Sequence, residues 1–290
     1  MNYAVITPAR NEAANLPRLA RALGEQTVRP VEWLLVDNDS TDATAAVARA
    51  LPYGPTRIVV AAGQRVPTRG APVALALMAG FEALGADLPD VVVKLDADTS
   101  MAPDYFERLL AEFEADPRLG IASGTCYELE DGEWVARHAT GGSVRGASRA
   151  YRRECLAAVL PLEARTGWDG IDELKAAGRG WRTTSFAHLR FDHHRALGGR
   201  DSRRPQQPFE MGRTAHFSGY RFYYLALSAF FRARRNPADL AMIAGYLSAA
   251  LRGEPRCPDP AAIAAARNQQ SLRELPLRVR EALGKRPAAA

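Results

Sequence analysis

Three features of the sequence predict an α/β protein: a mostly parallel sheet flanked by helices, followed by a C-terminal helical extension. Short apolar runs suited to strands alternate with stretches whose apolar residues recur at helical spacing, the pattern of a sheet wound by crossover helices. Three of those runs end in polar clusters, at Thr7, Asp37 and Asp96, which such a sheet gathers on one edge, beyond the carboxyl ends of its strands where ligands bind. Past residue 198 the strand signals give way to helical stretches set among arginines, so we expect one domain over 1–198 and a linker with helical extension over 199–290.

The elements follow in order. Tyr3 to Ile6 is apolar and strand-like, and the run breaks at Pro8 into the polar turn Ala9-Arg10-Asn11-Glu12. Leu16, Leu19, Ala20 and Leu23 then recur at helical spacing. A second strand, Trp33-Leu34-Leu35-Val36, ends in Asp37-Asn38-Asp39-Ser40-Thr41-Asp42, and an alanine-rich helix follows to about Ala50, with Ser40 or Thr41 as its expected cap. Arg57 to Ala61 gives a third strand and Pro72 to Leu84 a further helix, joined by a loop containing Arg69-Gly70. The next run, Val91-Val92-Val93-Lys94-Leu95-Asp96-Ala97-Asp98, delivers two carboxylates one residue apart at a strand exit. Side chains alternate along a strand, so Asp96 and Asp98 are expected to point the same way. Hard cations such as Mg²⁺ and Mn²⁺ take oxygen ligands and keep positions open for substrate phosphates, which makes the pair a candidate metal site for a nucleoside diphosphate. A solvated strand end is the plainer alternative.

In the second half, Gly141 to Ala147 is small and flexible enough for a loop or strand. Thr166-Gly167-Trp168-Asp169-Gly170-Ile171-Asp172-Glu173-Leu174-Lys175 is a glycine-flanked turn entering a helix with acidic groups. Ala187 to Arg195 reads as a short strand ending in His193 and His194.

Val5-Ile6-Thr7-Pro8-Ala9-Arg10-Asn11-Glu12, then Val36-Asp37-Asn38-Asp39-Ser40-Thr41-Asp42, then Leu95-Asp96-Ala97-Asp98, in that order and spacing, resemble the family 2 glycosyltransferases of the Rossmann-like GT-A fold. The resemblance implies a nucleoside-diphosphate sugar as donor, UDP-linked by preference with GDP or dTDP as alternatives. It also implies a divalent metal, Mn²⁺ or Mg²⁺, and inverting transfer to an acceptor hydroxyl on a glycan or lipid-linked sugar. The family's base- and ribose-holding positions map onto Thr7, Ala9, Arg10, Glu12 and Asp37. Asn38 and Asp39 stand where many relatives have Asp-Gly, which leaves open whether Asp37 or Asp39 reads the base. Asp96 and Asp98 would hold the metal, with His193 completing the metal or diphosphate site. Arg69 with Gly70, and His194 with Arg195, are expected near phosphate. Inverting transfer needs a carboxylate to take the acceptor proton. Asp172 is the first choice, with Asp169 and Glu173 as alternatives, and Trp168 either stacks on the acceptor sugar or lies in the core. The implied setting is bacterial polysaccharide or glycoconjugate synthesis.

Composition limits the alternatives. At 290 residues and 47% hydrophobic content the chain can bury an adequate core. Three cysteines without a C-x-x-C fit a reducing cytosol, and with a strand starting almost at Met1 no secretory signal is expected. Residues 1–199 hold 22 basic and 26 acidic side chains, whereas 200–290 hold 16 and 7. In that basic tail Tyr220, Tyr223, Tyr224, Leu227 and Phe231 share a helical face, and Leu240 to Leu251 carries no charge. Both stretches are shorter than the ~20 residues a membrane span needs. They suit either a helical pair lying on the anionic inner face of the cell membrane or packing on protein, including a second subunit. A sugar-phosphate nucleotidyltransferase would open with a glycine-rich phosphate loop, which Pro8-Ala9-Arg10-Asn11 does not supply. A noncatalytic module binding nucleic acid or lipid would explain the basic tail but not the acidic strand exits, and no nucleic-acid partner is expected.

Overall fold

The structure, a computed structural model, describes residues 1–61, 70–130, 132–137, 143–194, 206–276 and 280. Its chain divides into two compact units, Met1–Ala176 with Gly180–Leu197, and Ala177–Arg179 with Gly198–Ala290.

The first unit begins with β1 (Tyr3–Ala9), α1 (Leu16–Gly24), β2 (Glu32–Asp37), α2 (Thr44–Ala50), β3 (Arg57–Val60), α3 (Ala71–Leu84) and β4 (Val91–Leu95). It continues through β5 (Thr99–Met101), α4 (Tyr105–Ala115), β6 (Leu119–Glu130), β7 (Glu133–Arg137), β8 (Ser148–Arg152), α5 (Arg153–Val159), α6 (Trp168–Gly178) and β9 (Arg182–His193). The sheet order is β3-β2-β1-β4-β8-β6-β9-β5, with β7 beside β6. The first four strands are parallel. Beyond them β8 and β5 pair antiparallel with their neighbours while β6 and β9 pair in parallel. The sheet is therefore mixed, yet β1, β2, β4, β6 and β9 all run the same way, and their carboxyl ends share one edge.

Strand alternation builds both cores. Tyr3, Val5, Val91, Val93 and Leu95 pack with Trp33, Phe106 and Phe113 on one face. Ile6, Val36 and Val92 pack with Leu77, Phe81, Tyr151 and Leu156 on the other. The first strand does not break at Pro8: proline lacks the N–H, but the residue still pairs with Val36 in the ladder and β1 runs on to Ala9. Neither Ser40 nor Thr41 caps α2; an Asp42 oxygen accepts the Thr44 N–H at 2.9 Å.

The second unit contains α7 (Gln206–Phe217), α8 (Phe222–Ala233), α9 (Ala241–Leu251) and α10 (Pro260–Gln269). Among the described residues the helical extension opens at once, with α7 beginning at Gln206. Ala215, Leu225, Ala229, Met242 and Tyr246 form its core. On α8 the inward positions are thus Leu225 and Ala229, so Leu227 of the expected aromatic face points outward. No described helix is long and apolar enough to cross a membrane.

Candidate active site

The carboxyl edge of the sheet collects the acidic turns. β4 ends at Leu95, so Asp96 and Asp98 lie on a turn into β5 rather than on a continuing strand, and the turn is closed by the Thr99 hydroxyl donating to the Asp96 carbonyl at 2.7 Å. The His194 N–H donates to the Asp98 carbonyl at 2.8 Å, which ties the turn to the end of β9. Ligand atoms of Asp96, Asp98 and His193 come within 4.8 Å of one another, with His193 Nε2 3.2 Å from Asp98 Oδ1. Two carboxylates and an imidazole fit a divalent cation, which Nε2 would face, while the buried Nδ1 on the other side of the ring has no hydrogen-bond partner. Lys94 Nζ sits 2.6 Å from Asp96 Oδ1 and also donates to the Gly146 carbonyl. Burial raises the Asp96 carboxyl above its usual range, with Lys94 opposing. His193 is raised overall: burial lowers it, and the hydrogen bond and charge of Asp98 outweigh that.

The other predicted residues fall into distinct positions. Thr7 is fully buried and accepts a hydrogen bond from Trp33 Nε1 at 3.0 Å, so its side chain faces the core rather than a ligand. Ala9 is buried, and its carbonyl accepts the Asn38 N–H at 2.8 Å. Glu12 is buried and accepts from Asn15 Nδ2 at 2.7 Å, while its own N–H donates to Thr44 Oγ1. Asp37 is buried and accepts the Ser40 N–H at 3.1 Å. Arg10 and Asp39 are exposed. Arg69 and Arg195 lie outside the described residues, while His194 bonds Ser100 Oγ at 2.7 Å. Asn11 and Asp39 both adopt left-handed backbone, at φ 58° and 59°, a conformation in which short polar residues are enriched. Asn11 Oδ1 takes the Thr41 N–H at 2.7 Å, and the Asn11 N–H donates to Ser40 Oγ at 3.0 Å. The two loops at the strand exits are thereby clamped, a role for Asn11 that periodicity alone does not reveal.

The acidic helix start is arranged differently from expectation. Asp172 is 1% exposed. Its carboxylate takes the Tyr151 hydroxyl at 2.5 Å and a bidentate pair of donors from the fully buried Arg149. Glu173 Oε1 accepts from Arg149 Nη1 at 3.0 Å and from the Val144 N–H at 2.7 Å. Burial pushes Asp172 up to about 6 and Glu173 up to about 7, with Arg149 opposing in both. Asp172, with donors on both carboxylate oxygens, is held as an anchor of the α6 start, and Glu173 is tied to the same arginine through Oε1. Asp169 differs. It is half-exposed in the first turn of α6, its carbonyl is held by Arg149 Nη2 at 2.7 Å, and its Oδ2 lies 3.4 Å from the position a Cβ on Gly146 would occupy. Gly146 is also the residue whose carbonyl accepts from Lys94, so this one glycine is approached by both Asp169 and Lys94. Trp168 is 6% exposed and packs with Leu77, Phe81 and Tyr151, which removes it from acceptor stacking. Arg149 and Tyr151, at i and i+2 on β8, were missed; the available signal was an arginine and a tyrosine on one face of a strand.

Comparison with known proteins gives the family and the fold. The family model "Glycosyl transferase family 2" matches residues 4–161. An undecaprenyl-phosphate 4-deoxy-4-formamido-L-arabinose transferase from Sodalis glossinidius is 32% identical over 56% of this chain and 52% of its own length. A polyprenol monophosphomannose synthase from Mycolicibacterium smegmatis is 33% identical over 61% of this chain and 60% of its own. The chain thus spans about half to three fifths of these relatives. Among solved structures, the mannosyltransferase PcManGT from Pyrobaculum calidifontis, in complex with GDP-Man and Mn²⁺, superposes with a TM-score of 0.54 at 19% identity, over 97% of this chain and 79% of that one. The fold is the GT-A fold. With its family model covering more than half of the sequence, the chain belongs to glycosyl transferase family 2.

Proposed function

We propose that this protein is a divalent-metal-dependent inverting glycosyltransferase, which moves a sugar from a nucleoside-diphosphate donor to an acceptor hydroxyl during glycoconjugate or polysaccharide synthesis. The observation that carries this reading is the convergence of Asp96, Asp98 and His193 on the sheet edge shared with Arg10, Asp37 and Asp39. When bound, Mn²⁺ or Mg²⁺ supplies Lewis-acid neutralisation of the departing diphosphate, on the order of several kcal/mol. Asp96, Asp98 and His193 would hold it. Arg10 and the clamped turn at Asp37–Asp39 would hold the nucleoside, and Asp169 would take the acceptor proton. Glu12, Asp172 and Glu173 support these loops from behind. Screening UDP-, GDP- and dTDP-sugars by thermal shift with Mn²⁺ tests the reading. One donor class at about 100 times its Kd should stabilise the fold by about 2.7 kcal/mol, and its shift should vanish with EDTA. No metal-dependent shift from any of the three would sink it.

Two matched relatives carry a polyprenyl carrier in their names, which supports a lipid-linked acceptor and contact with a membrane surface. Seven of the ten exposed large apolar side chains among the described residues lie in the second unit, Leu240, Leu247 and Leu251 on one face. The basic surplus of residues 200–290 complements anionic lipid. The full-length protein should cofloat with anionic vesicles and be released by salt, since each basic contact contributes about 1 kcal/mol and is screened. Leu247→Glu combined with Leu251→Glu should abolish flotation without altering secondary structure. Unchanged flotation, or a shift from dimer to monomer with no vesicle binding by the parent, would assign this face to a second subunit instead.

A further inference from the structure

We propose that Glu128 is a positioning residue for His193, accepting its Nδ1 proton so that Nε2 faces the cation site of Asp96 and Asp98. The inference rests on the metal reading above. The strands place the two residues opposite each other: β6 and β9 run in parallel with Glu128 in register with His193. Both side chains are more than nine-tenths buried. Glu128 Oε1 and His193 Nδ1 are 3.7 Å apart, and neither has a hydrogen-bond partner. Two complementary buried polar atoms, each left without a hydrogen bond, both carry a desolvation penalty, and a modest approach removes it for both.

The remaining contacts fix the polarity of the pair. Glu128 Oε2 accepts from Arg137 Nε at 2.9 Å, which leaves Oε1 for the ring. On the other side of the imidazole, Nε2 lies 3.2 Å from Asp98 Oδ1. A neutral imidazole has one N–H and one lone pair, and a cation needs the lone pair on its own side. With the Nδ1 proton held by Glu128, Nε2 presents that lone pair without rotation of the ring. This is the carboxylate–histidine–metal relay by which an outer carboxylate orients a ligand. Cys126, whose ligand atom also lies within 4.8 Å of those of Glu128 and His193, is the competing feature, because a soft cation could use the Nδ1 side instead.

Mn²⁺ titration of the full-length protein, without nucleotide, tests the proposal. Glu128→Ala should weaken Mn²⁺ binding about 10- to 100-fold, as loss of an outer-shell partner does. Glu128→Gln, which keeps an acceptor oxygen, should fall between it and the parent, and Arg137→Gln should bind nearly as the parent does. Nitrogen NMR of the Mg²⁺-loaded parent should report the proton on Nδ1 of His193, a readout that survives if Glu128→Ala does not fold. Parent-like affinity in Glu128→Ala, equal loss in Arg137→Gln, or a proton on Nε2 would overturn the proposal. So would loss of binding in Cys126→Ser, which would put the cation on the sulfur side. Failure of the underlying metal reading looks different: the parent would not bind Mn²⁺, or Asp98→Ala would bind it equally well.

Discussion

Asp98→Ala should reduce Mn²⁺-dependent affinity for the nucleoside diphosphate by at least about 10²-fold, or ~2.7 kcal/mol. Charge is the reason. Asp96 is already paired with Lys94 at 2.6 Å, so with Asp98 removed a cation would meet one carboxylate offset by an ammonium, together with an imidazole. Asp98 is the carboxylate that Lys94 is not holding and that His193 addresses directly. The turn should survive the change, because it is the backbone carbonyl of residue 98 that accepts the His194 N–H and the Thr99 hydroxyl that closes the loop. Calorimetry with UDP or GDP, in Mn²⁺ and in EDTA, separates the two effects. Affinity in EDTA should barely move, and an unchanged response to Mn²⁺ would remove Asp98 from the site.

The first half of the fold was legible because its signals are local. The runs at Tyr3, Trp33, Arg57 and Val91 alternate with helical stretches, and β1 to β4 with α1 to α3 lie where periodicity places them. Asp96, Asp98 and His193 were legible as chemistry, though their convergence depends on β9 running beside β6, a pairing between strands remote in sequence. What stayed hidden depends on burial. Thr7 and Asp39 sit in equally polar-looking turns, yet one hydroxyl is committed to Trp33 and the other side chain is exposed. Asp172 looks like a free acid until β8 delivers Arg149 and Tyr151 against it from about twenty residues away. The mixed outer half of the sheet was hidden for the same reason: only the Ala187–His193 end of β9 reads as a strand, and its pairing with β6 joins segments remote in sequence.

Asp169→Asn should lower transfer to a hydroxyl acceptor by about 10² or more while leaving donor affinity and thermal stability near the parent values. The amide keeps the size and hydrogen bonding of the half-exposed carboxylate but cannot accept a proton. Its backbone carbonyl, still bonded to Arg149, keeps the start of α6 in place. Asp172→Asn should behave in the opposite way. Taking the charge from a group only 1% exposed leaves the guanidinium of Arg149 buried with Glu173 as its remaining anionic partner, and breaking a buried pair costs about 3–5 kcal/mol. Its loss should therefore register first as a lower melting temperature, and as lost turnover only in proportion to the folded fraction. The two variants assayed together separate a base from an anchor. A stable Asp172→Asn with abolished turnover, beside a near-normal Asp169→Asn, would return the base to Asp172. An Asp169→Asn that fails on a hydroxyl acceptor but works on a phosphate monoester, already anionic at neutral pH, would show that the base is needed only where the acceptor must lose a proton.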